Sequence, residues 1–229
     1  ATNLIPNLVA TAGFGSATYC FPLYTYREDG KQREENIPLF TLQHFQKHYR
    51  DKAITRGDIF HYVYALLHHP EYRARYAENL KRELPRVPLS GKAADFHAFA
   101  KAGQELIDLH VHYEEQKAYP LKRVENPEAP LDWRVEAMKL GKDRDAIQYN
   151  DFLTLVGVPR EAFDYRLGNR SALEWVIDQY RVSRDEHGQI TSDPNRTDDE
   201  QYIVRLVGQV ITVSLGTNRI IANLPPLAP

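Results

Sequence analysis

Sulfur is nearly absent from this sequence. Of 229 residues, one is cysteine, Cys20, and one is methionine, Met138. A single thiol excludes an intrachain disulfide, and a reducing, cytoplasmic setting is the natural reading. No run approaches the roughly 20 apolar residues of a membrane-spanning helix, and no signal-peptide pattern is found. Neither charge dominates: the formal net charge of -2 argues against a wholesale polyanion binder.

Complete catalytic motifs are lacking too. Gly13-Phe14-Gly15 has neither the third glycine nor the Lys-Ser/Thr that a phosphate cradle needs, so it reads as a turn. There is no Asn-Pro-Pro-Tyr, the tetrapeptide with which amino-methyltransferases hold a flipped base, and Pro225-Pro226 is the only Pro-Pro. No G-x-S-x-G or H-E-x-x-H occurs. His44 and His48 stand four apart on an expected helix, but zinc needs further ligands that the sequence does not identify. They, like His110 and His112, read as half-buried hydrogen-bonding histidines, and Cys20 as an inert core thiol.

What is present is an ordinary globular composition, 42% hydrophobic and 26% charged, with an unusual 14 tyrosines. Tyrosine buries apolar area while keeping a polar tip, which suits interfaces and half-buried surfaces. Charge is unevenly placed. Residues 71–92 carry Arg73, Arg75, Lys81, Arg82, Arg86 and Lys92 against three acids, whereas 185–200 carry six acids against Arg196. The first stretch can attract phosphate; the second repels it and is expected to face away from nucleic acid.

The patterning predicts an α+β fold, a helical block between two strand-rich regions, ending in a long C-terminal helix. Residues 4–26 read as strands and 27–36 as a surface loop. Helices are expected from a Thr41 cap to about Tyr49, and over 59–68 behind Thr55 or Asp58, with Phe60, Val63, Tyr64 and Leu67 inward. Further helices are expected over 71–84, with Tyr72, Tyr76 and Leu80 as the buried stripe, and over 93–113. Residues 118–133 read as an extended connector. Val135–Leu140 and Ala146–Val156 alternate as strands around the loop Gly141–Asp145. A helix over 171–180, a polar loop over 183–200 and a final helix capped by Asp199 complete the chain. One domain over 1–229 is expected, divisible into lobes at 1–117 and 118–229. The chain opens on Ala1 and enters directly into strand-like sequence, which reads as an excised domain.

Three places combine basic charge with rigid support. On the expected helix 71–84, Arg75, Asn79 and Arg82 form one polar stripe flanked by Lys81; Glu71 with Arg75, and Glu78 with Arg82, could instead pair internally. The hairpin carries Lys139, Lys142 and Arg144, then Gln148 and Asn150. A two-stranded ribbon fits a major groove, loop cations hold phosphates, and Gln or Asn can pair bidentately with adenine. In Tyr165–Ser171, Arg166, Asn169 and Arg170 sit at a tight turn before a helix capped by Ser171, a guanine or anion reader unless an arginine locks the turn on Glu174 or a carbonyl.

The same segments carry a resemblance. The run from Tyr62 through Pro88 is similar to a signature of the C-terminal specificity domain of type ISP restriction-modification enzymes. So are Leu106–Glu114, Tyr165–Tyr180, Ile190–Asn195 and Cys20–Tyr24. The resemblance covers nearly the whole chain in the family's order. It implies a larger parent with nuclease, helicase-like ATPase and N6-adenine methyltransferase domains upstream. This region would then recognise a short asymmetric DNA sequence and present it to the methyltransferase, with no catalytic centre of its own. S-adenosylmethionine, ATP and Mg2+ would belong to the parent, and double-stranded DNA and the upstream domains would be the partners. Base-contacting residues differ between members, so none is carried over. The rival reading is a protein-interaction module docking the parent's other domains; third comes an enzyme built around His44, His48 or His110.

Overall fold

The computed structural model describes residues 21–26 and 32–227. Cys20, the Gly13-Phe14-Gly15 turn, most of the expected opening strands and residues 27–31 lie outside them. The described chain is a mixture of helices and small antiparallel sheets. It divides into two compact units, one formed by residues up to Val111 together with those from Ile220 onward, the other by His112–Arg219.

In the first unit, β1 (Tyr24–Tyr26) and β2 (Arg33–Glu35) pair antiparallel, so part of the expected surface loop is strand. α1 (Leu39–Tyr49) begins after Pro38, ahead of the expected Thr41 cap. α2 (Arg56–His68) has a full capping box: the Thr55 side chain accepts from the Asp58 backbone N–H and the Asp58 carboxylate accepts from that of Thr55, satisfying two donors that the first turn otherwise leaves unpaired. α3 (Pro70–Arg75), α4 (Ala77–Leu80) and α5 (Ala93–Val111) follow. The buried face of α2 is Ile59, Tyr62, Ala65 and Leu66, rotated from the expected Phe60/Val63/Tyr64/Leu67 face, which is half-buried.

An aromatic cluster forms the core: Tyr49 stacks on Phe96 with ring centroids 4.8 Å apart, and Phe45 meets Tyr62 edge-on at 6.0 Å. The tyrosine tips then hold the following chain. The hydroxyls of Tyr72 and Tyr62 donate to the carbonyls of Arg86 and Pro88, both at 2.7 Å, and that of Tyr49 lies 2.8 Å from Ser90 Oγ. Drawing residues 86–90 back onto these hydroxyls requires a bend. The expected single helix over 71–84 accordingly breaks at Tyr76, whose φ of -107° and ψ of 18° leave the helical region.

In the second unit, β3 (Lys122–Glu125), β4 (Lys139–Leu140), β5 (Ala146–Gln148) and β6 (Leu153–Val156) form a four-stranded antiparallel sheet in the order β3-β6-β5-β4. The expected strand Ala146–Val156 is two strands joined by a turn, and β3 lies within the expected connector. Two small hairpins, β7 (Arg166–Leu167) with β8 (Arg170–Ser171) and β9 (Ser183–Arg184) with β10 (Ile190–Ser192), flank α6 (Ala172–Gln179). α7 (Tyr202–Ala222) is the long C-terminal helix, its first eighteen residues in this unit. Ile147, Leu153 and Leu155 on one face of the sheet are buried in one core with Ile203, Leu206, Val207 and Ile211 of α7. The Tyr119 backbone N–H donates to the Gly208 carbonyl at 3.0 Å, an approach that a side chain at 208 would obstruct.

The expected polar loop over 183–200 is anchored within this unit. Asn195 accepts from the Val135 N–H at 2.8 Å and donates to its carbonyl at 2.9 Å, while Asp193 pairs with Arg134 at 2.7 Å. The Asn195 backbone N–H and side chain, then Arg134, pull the Asp193 carboxyl down to about 2.

Two predictions follow from these contacts. A Cβ at Gly103 of α5 would lie 1.8 Å from the His61 carbonyl oxygen of α2, whereas one at Gly91 meets nothing within 4 Å. Gly103→Ala should therefore lower the unfolding free energy by about 3 kcal/mol and Gly91→Ala by less than about 0.5 kcal/mol; urea denaturation reads the difference, and equal midpoints would disprove the close approach. The Asp193 carboxyl has a folded-state value below its unfolded one, so its contribution is complete above pH ~4 and is lost as pH falls toward ~2. NMR titration should give Asp193 a midpoint of about 2, moving up toward the ordinary carboxylate range in Asn195→Ala; an unmoved midpoint counts against the tether.

Candidate nucleic-acid interface

The three basic places of the sequence fall in both units. In the first, Arg75 closes α3 and is paired with Glu71 at 2.6 Å. Asn79 lies in α4, with Lys81 and Arg82 in the turn after it. Glu78 pairs with Lys81 at 2.7 Å, not with Arg82 as the helical spacing suggests. Because the helix is broken at Tyr76, the continuous stripe of Arg75, Asn79 and Arg82 is not built. Asn79 and Arg82 have exposed side chains with no hydrogen-bond or ion-pair partner among the described residues.

Arg144 of the second place is brought to the third in the second unit, at the start of α6, while Lys139, Gln148 and Asn150 line a cleft that includes none of the third place's residues. Ser171 caps this helix through a full capping box with Glu174. The other Glu174 oxygen accepts from Arg144 Nη2 at 2.7 Å, tying the β4–β5 loop to the helix that follows the Arg166–Arg170 turn. Arg144 adopts the left-handed backbone at φ 60° and sets its guanidinium 4.1 Å from the centre of the Phe163 ring. The hydrogen bonds from Ser171 and from Arg144 hold the Glu174 carboxyl below its ordinary value.

The turn itself is a two-residue hairpin, with Gly168 at φ 71° supplying the left-handed conformation. Arg166 donates to the Asn169 carbonyl and locks it. Arg170 pairs with Asp178 at 2.7 Å and lies 5.5 Å from the Trp175 ring centre, while Trp175 donates its indole N–H to the Leu167 carbonyl at 3.0 Å. Both arginines thus have partners inside the unit. The carbonyl lock is one of the two that the sequence offers; Asp178, eight residues from Arg170, lies beyond the reach of that local reading.

Asn150 is fully used in holding its turn. Its amide nitrogen donates to the Asp132 and Arg134 carbonyls, both at 2.9 Å, and its oxygen accepts from the Phe152 and Leu153 backbone N–H groups at 3.0 and 2.7 Å. Lys139, Lys142 and Gln148 differ: their side chains are exposed and have no hydrogen-bond or ion-pair partner among the described residues. Lys139 and Gln148 face each other across β4 and β5, and both line a cleft of about 390 Å³. Its other walls include Asp132, Arg134, Glu136 and Asp151. Arg134 is held by Asp193 and Glu136, and Glu136 also accepts from Arg184 at 3.1 Å. The acidic 185–200 segment, expected to face away from nucleic acid, is tied through Asp193 to Arg134 in the wall of this cleft.

His110, expected to be half-buried, is packed among rings, whereas His44, His48 and His112, expected to be half-buried as well, are exposed. His110 Nδ1 lies 2.8 Å from the Tyr64 hydroxyl, and its ring is 5.4 Å from that of His68. Burial, then the neighbouring His68, pushes His110 down to about 3, so it is neutral at physiological pH. His48 lies edge-on to Tyr49 at 4.6 Å. Among the described residues no three His, Cys, Asp or Glu side chains are grouped to hold a metal ion. No helix among them is long and apolar enough to cross a membrane.

Solved structures share this fold. A nuclease-deletion mutant of the Type ISP restriction-modification enzyme LlaGI, in complex with a DNA substrate mimic, is 37% identical with a TM-score of 0.72, over 90% of this chain and 18% of that one. The ATP-dependent Type ISP restriction-modification enzyme LlaBIII, bound to DNA, is 32% identical with a TM-score of 0.76, over 90% and 13%. The DrdV–DNA complex, solved by cryoEM, is 37% identical with a TM-score of 0.79, over 92% and 22%. This chain thus spans less than a quarter of each of those proteins. A comparison with curated proteins gave no match. The family model of the Type ISP C-terminal specificity domain matches residues 1–206, and the chain belongs to that family.

Proposed function

We propose that this chain is the cytoplasmic DNA target-recognition domain of a restriction-modification enzyme and supplies no catalytic group. It would hold a double-stranded target in position for an N6-adenine methyltransferase elsewhere in the parent polypeptide. S-adenosylmethionine, ATP and Mg2+ would be bound by that remainder. The observation that carries the reading is the convergence, at the start of α6, of the β4–β5 loop bearing Lys142 and Arg144 with the turn bearing Arg166, Asn169 and Arg170, joined through Glu174. The relatives above supply the context, since the LlaGI, LlaBIII and DrdV structures all contain DNA or its mimic.

Division of labour follows from which groups are already paired. Lys142 is free to neutralise a phosphate. Arg144 and Arg170 are half-exposed in their ion pairs. Exposed pairs of this kind contribute only about 0–1 kcal/mol, so either guanidinium can be shared with a phosphate at small cost. Arg75, Asn79, Lys81 and Arg82 of the first unit would add backbone contacts. With a net charge of -2, affinity of the chain alone should be modest.

The second reading, a module that docks the parent's other domains, is favoured by Leu39 and Phe40 at the start of α1, which are 57% and 73% exposed. Salt dependence separates the two. Fluorescence anisotropy with a labelled duplex should show log affinity falling linearly with log salt, and Lys142→Ala should reduce the magnitude of that slope by about 1. Affinity for DNA that is flat in salt would sink the recognition reading and leave the docking one.

A further inference from the structure

The sheet of the second unit has one buried face and one open face, and the register states which residues share each. Leu140, Ile147, Leu155 and Arg123 form one cross-strand file, with Ile147 and Leu155 almost wholly buried. The adjacent file is Lys139, Gln148, Thr154 and Val124. Because side chains alternate along a strand, this second file points away from the core. Val156, Ala146 and Lys122 form the next file on the same open face.

The outward file is chemically unlike the other basic places. The side chains of Lys139, Gln148 and Thr154 have no partner among the described residues, and neither do Lys122 and Lys142 on either side. Arg75, Arg144, Arg166, Arg170 and Asn150 all have partners. A group that reads a base edge gains most when no internal hydrogen bond must first be broken. The file is also held on regular strands backed by a core, whereas the free Asn79 and Arg82 lie on a four-residue helix and the turn after it.

Dimensions agree. Strands spaced about 4.8 Å apart put Lys139 and Thr154 about 10 Å apart, the rise of about three base pairs at ~3.4 Å each. β4 is the edge strand, and Lys139 and Gln148 are exposed there in a cleft walled by residues 129–137; a major groove is about 12 Å wide. Lysine donates to guanine O6 and N7, glutamine pairs bidentately with adenine N6 and N7, and threonine bonds either edge or packs on the thymine methyl. Asp132, Glu136 and Asp151 line the cleft beside Lys139 and Gln148. Arg134 in the same wall is already paired with Asp193 and Glu136, so the carboxylates disfavour a phosphate there.

We propose that the file Lys139–Gln148–Thr154 reads base edges in the major groove, with guanine at Lys139 and adenine at Gln148 within two base pairs of each other, while Lys142 and Lys122 hold the flanking phosphates. This rests on the recognition reading above and names its specificity-determining residues. Thr154, Val124 and Lys122 enter only through the register.

The test is selection from a randomised duplex library by the 229-residue chain, at about 50 mM salt, followed by sequencing. Wild type should enrich a motif containing a guanine and a nearby adenine. Gln148→Ala should lose preference at the adenine alone and Lys139→Ala at the guanine alone, each by about 5- to 150-fold. Lys142→Ala should weaken binding to all sequences alike. All three sites are exposed, so melting temperatures should match wild type. If Gln148→Ala and Lys139→Ala both return the wild-type motif undiminished, the file is not the reader, and the recognition reading stands. If wild type enriches no motif, that reading falls, and this one with it.

Discussion

Burial of one face of a four-stranded sheet is the constraint on which the second unit depends. Ile147, Leu153 and Leu155 lie in one core with the apolar side of α7. Strand side chains alternate with a period of two, so once those three are inward the neighbouring residues have no choice of side. Lys139, Gln148 and Thr154 are outward for that reason. A slip of one residue in β5 or β6 would bury Gln148 or Thr154 and expose Ile147 or Leu155, at a cost of about 1.5–3 kcal/mol for each large apolar side chain displaced.

The cations at the start of α6 show how charge can serve structure first. Glu174 is at once a capping-box acceptor and the partner of Arg144; Asp178 holds Arg170; and Arg166 closes its own turn on a carbonyl. These contacts tie the β4–β5 loop to the first turn of α6 and Arg170 to its last turn, and leave Arg144 and Arg170 half-exposed.

In the first unit the tyrosines carry the organisation. The rings of Tyr49, Tyr62 and Tyr72 are buried while their hydroxyls bond Ser90, Pro88 and Arg86. The chain from 81 to 92, too polar to bury itself, is held by these three tips. The result is a basic segment on an aromatic support, without the continuous helix that its periodicity suggests.

The sequence alone determined the α+β class, the Ser171 cap, a cap at Thr55 or Asp58, the tight turn at Gly168-Asn169, the β4–β5 loop and the long last helix. All of these are local: a cap, a glycine or an apolar period acts within a few residues. The tertiary structure decided what local rules cannot reach. The helix over 71–84 breaks because three hydroxyls from three different helices draw back the segment beyond it. The strand Ala146–Val156 splits at a turn that Asn150 closes locally, through the Phe152 and Leu153 N–H groups, and that its amide nitrogen then ties to the Asp132 and Arg134 carbonyls. β3 forms in a proline-flanked connector because β6 offers it an edge. Local partners for Arg75 and for one of Arg166 and Arg170 are legible along the chain, but only the folded structure gives Arg144 to Glu174 and Arg170 to Asp178 and leaves Lys139, Lys142 and Gln148 without a partner among the described residues. Whether a polar group is spoken for depends on what folding brings to its tip, and that is settled by packing in three dimensions.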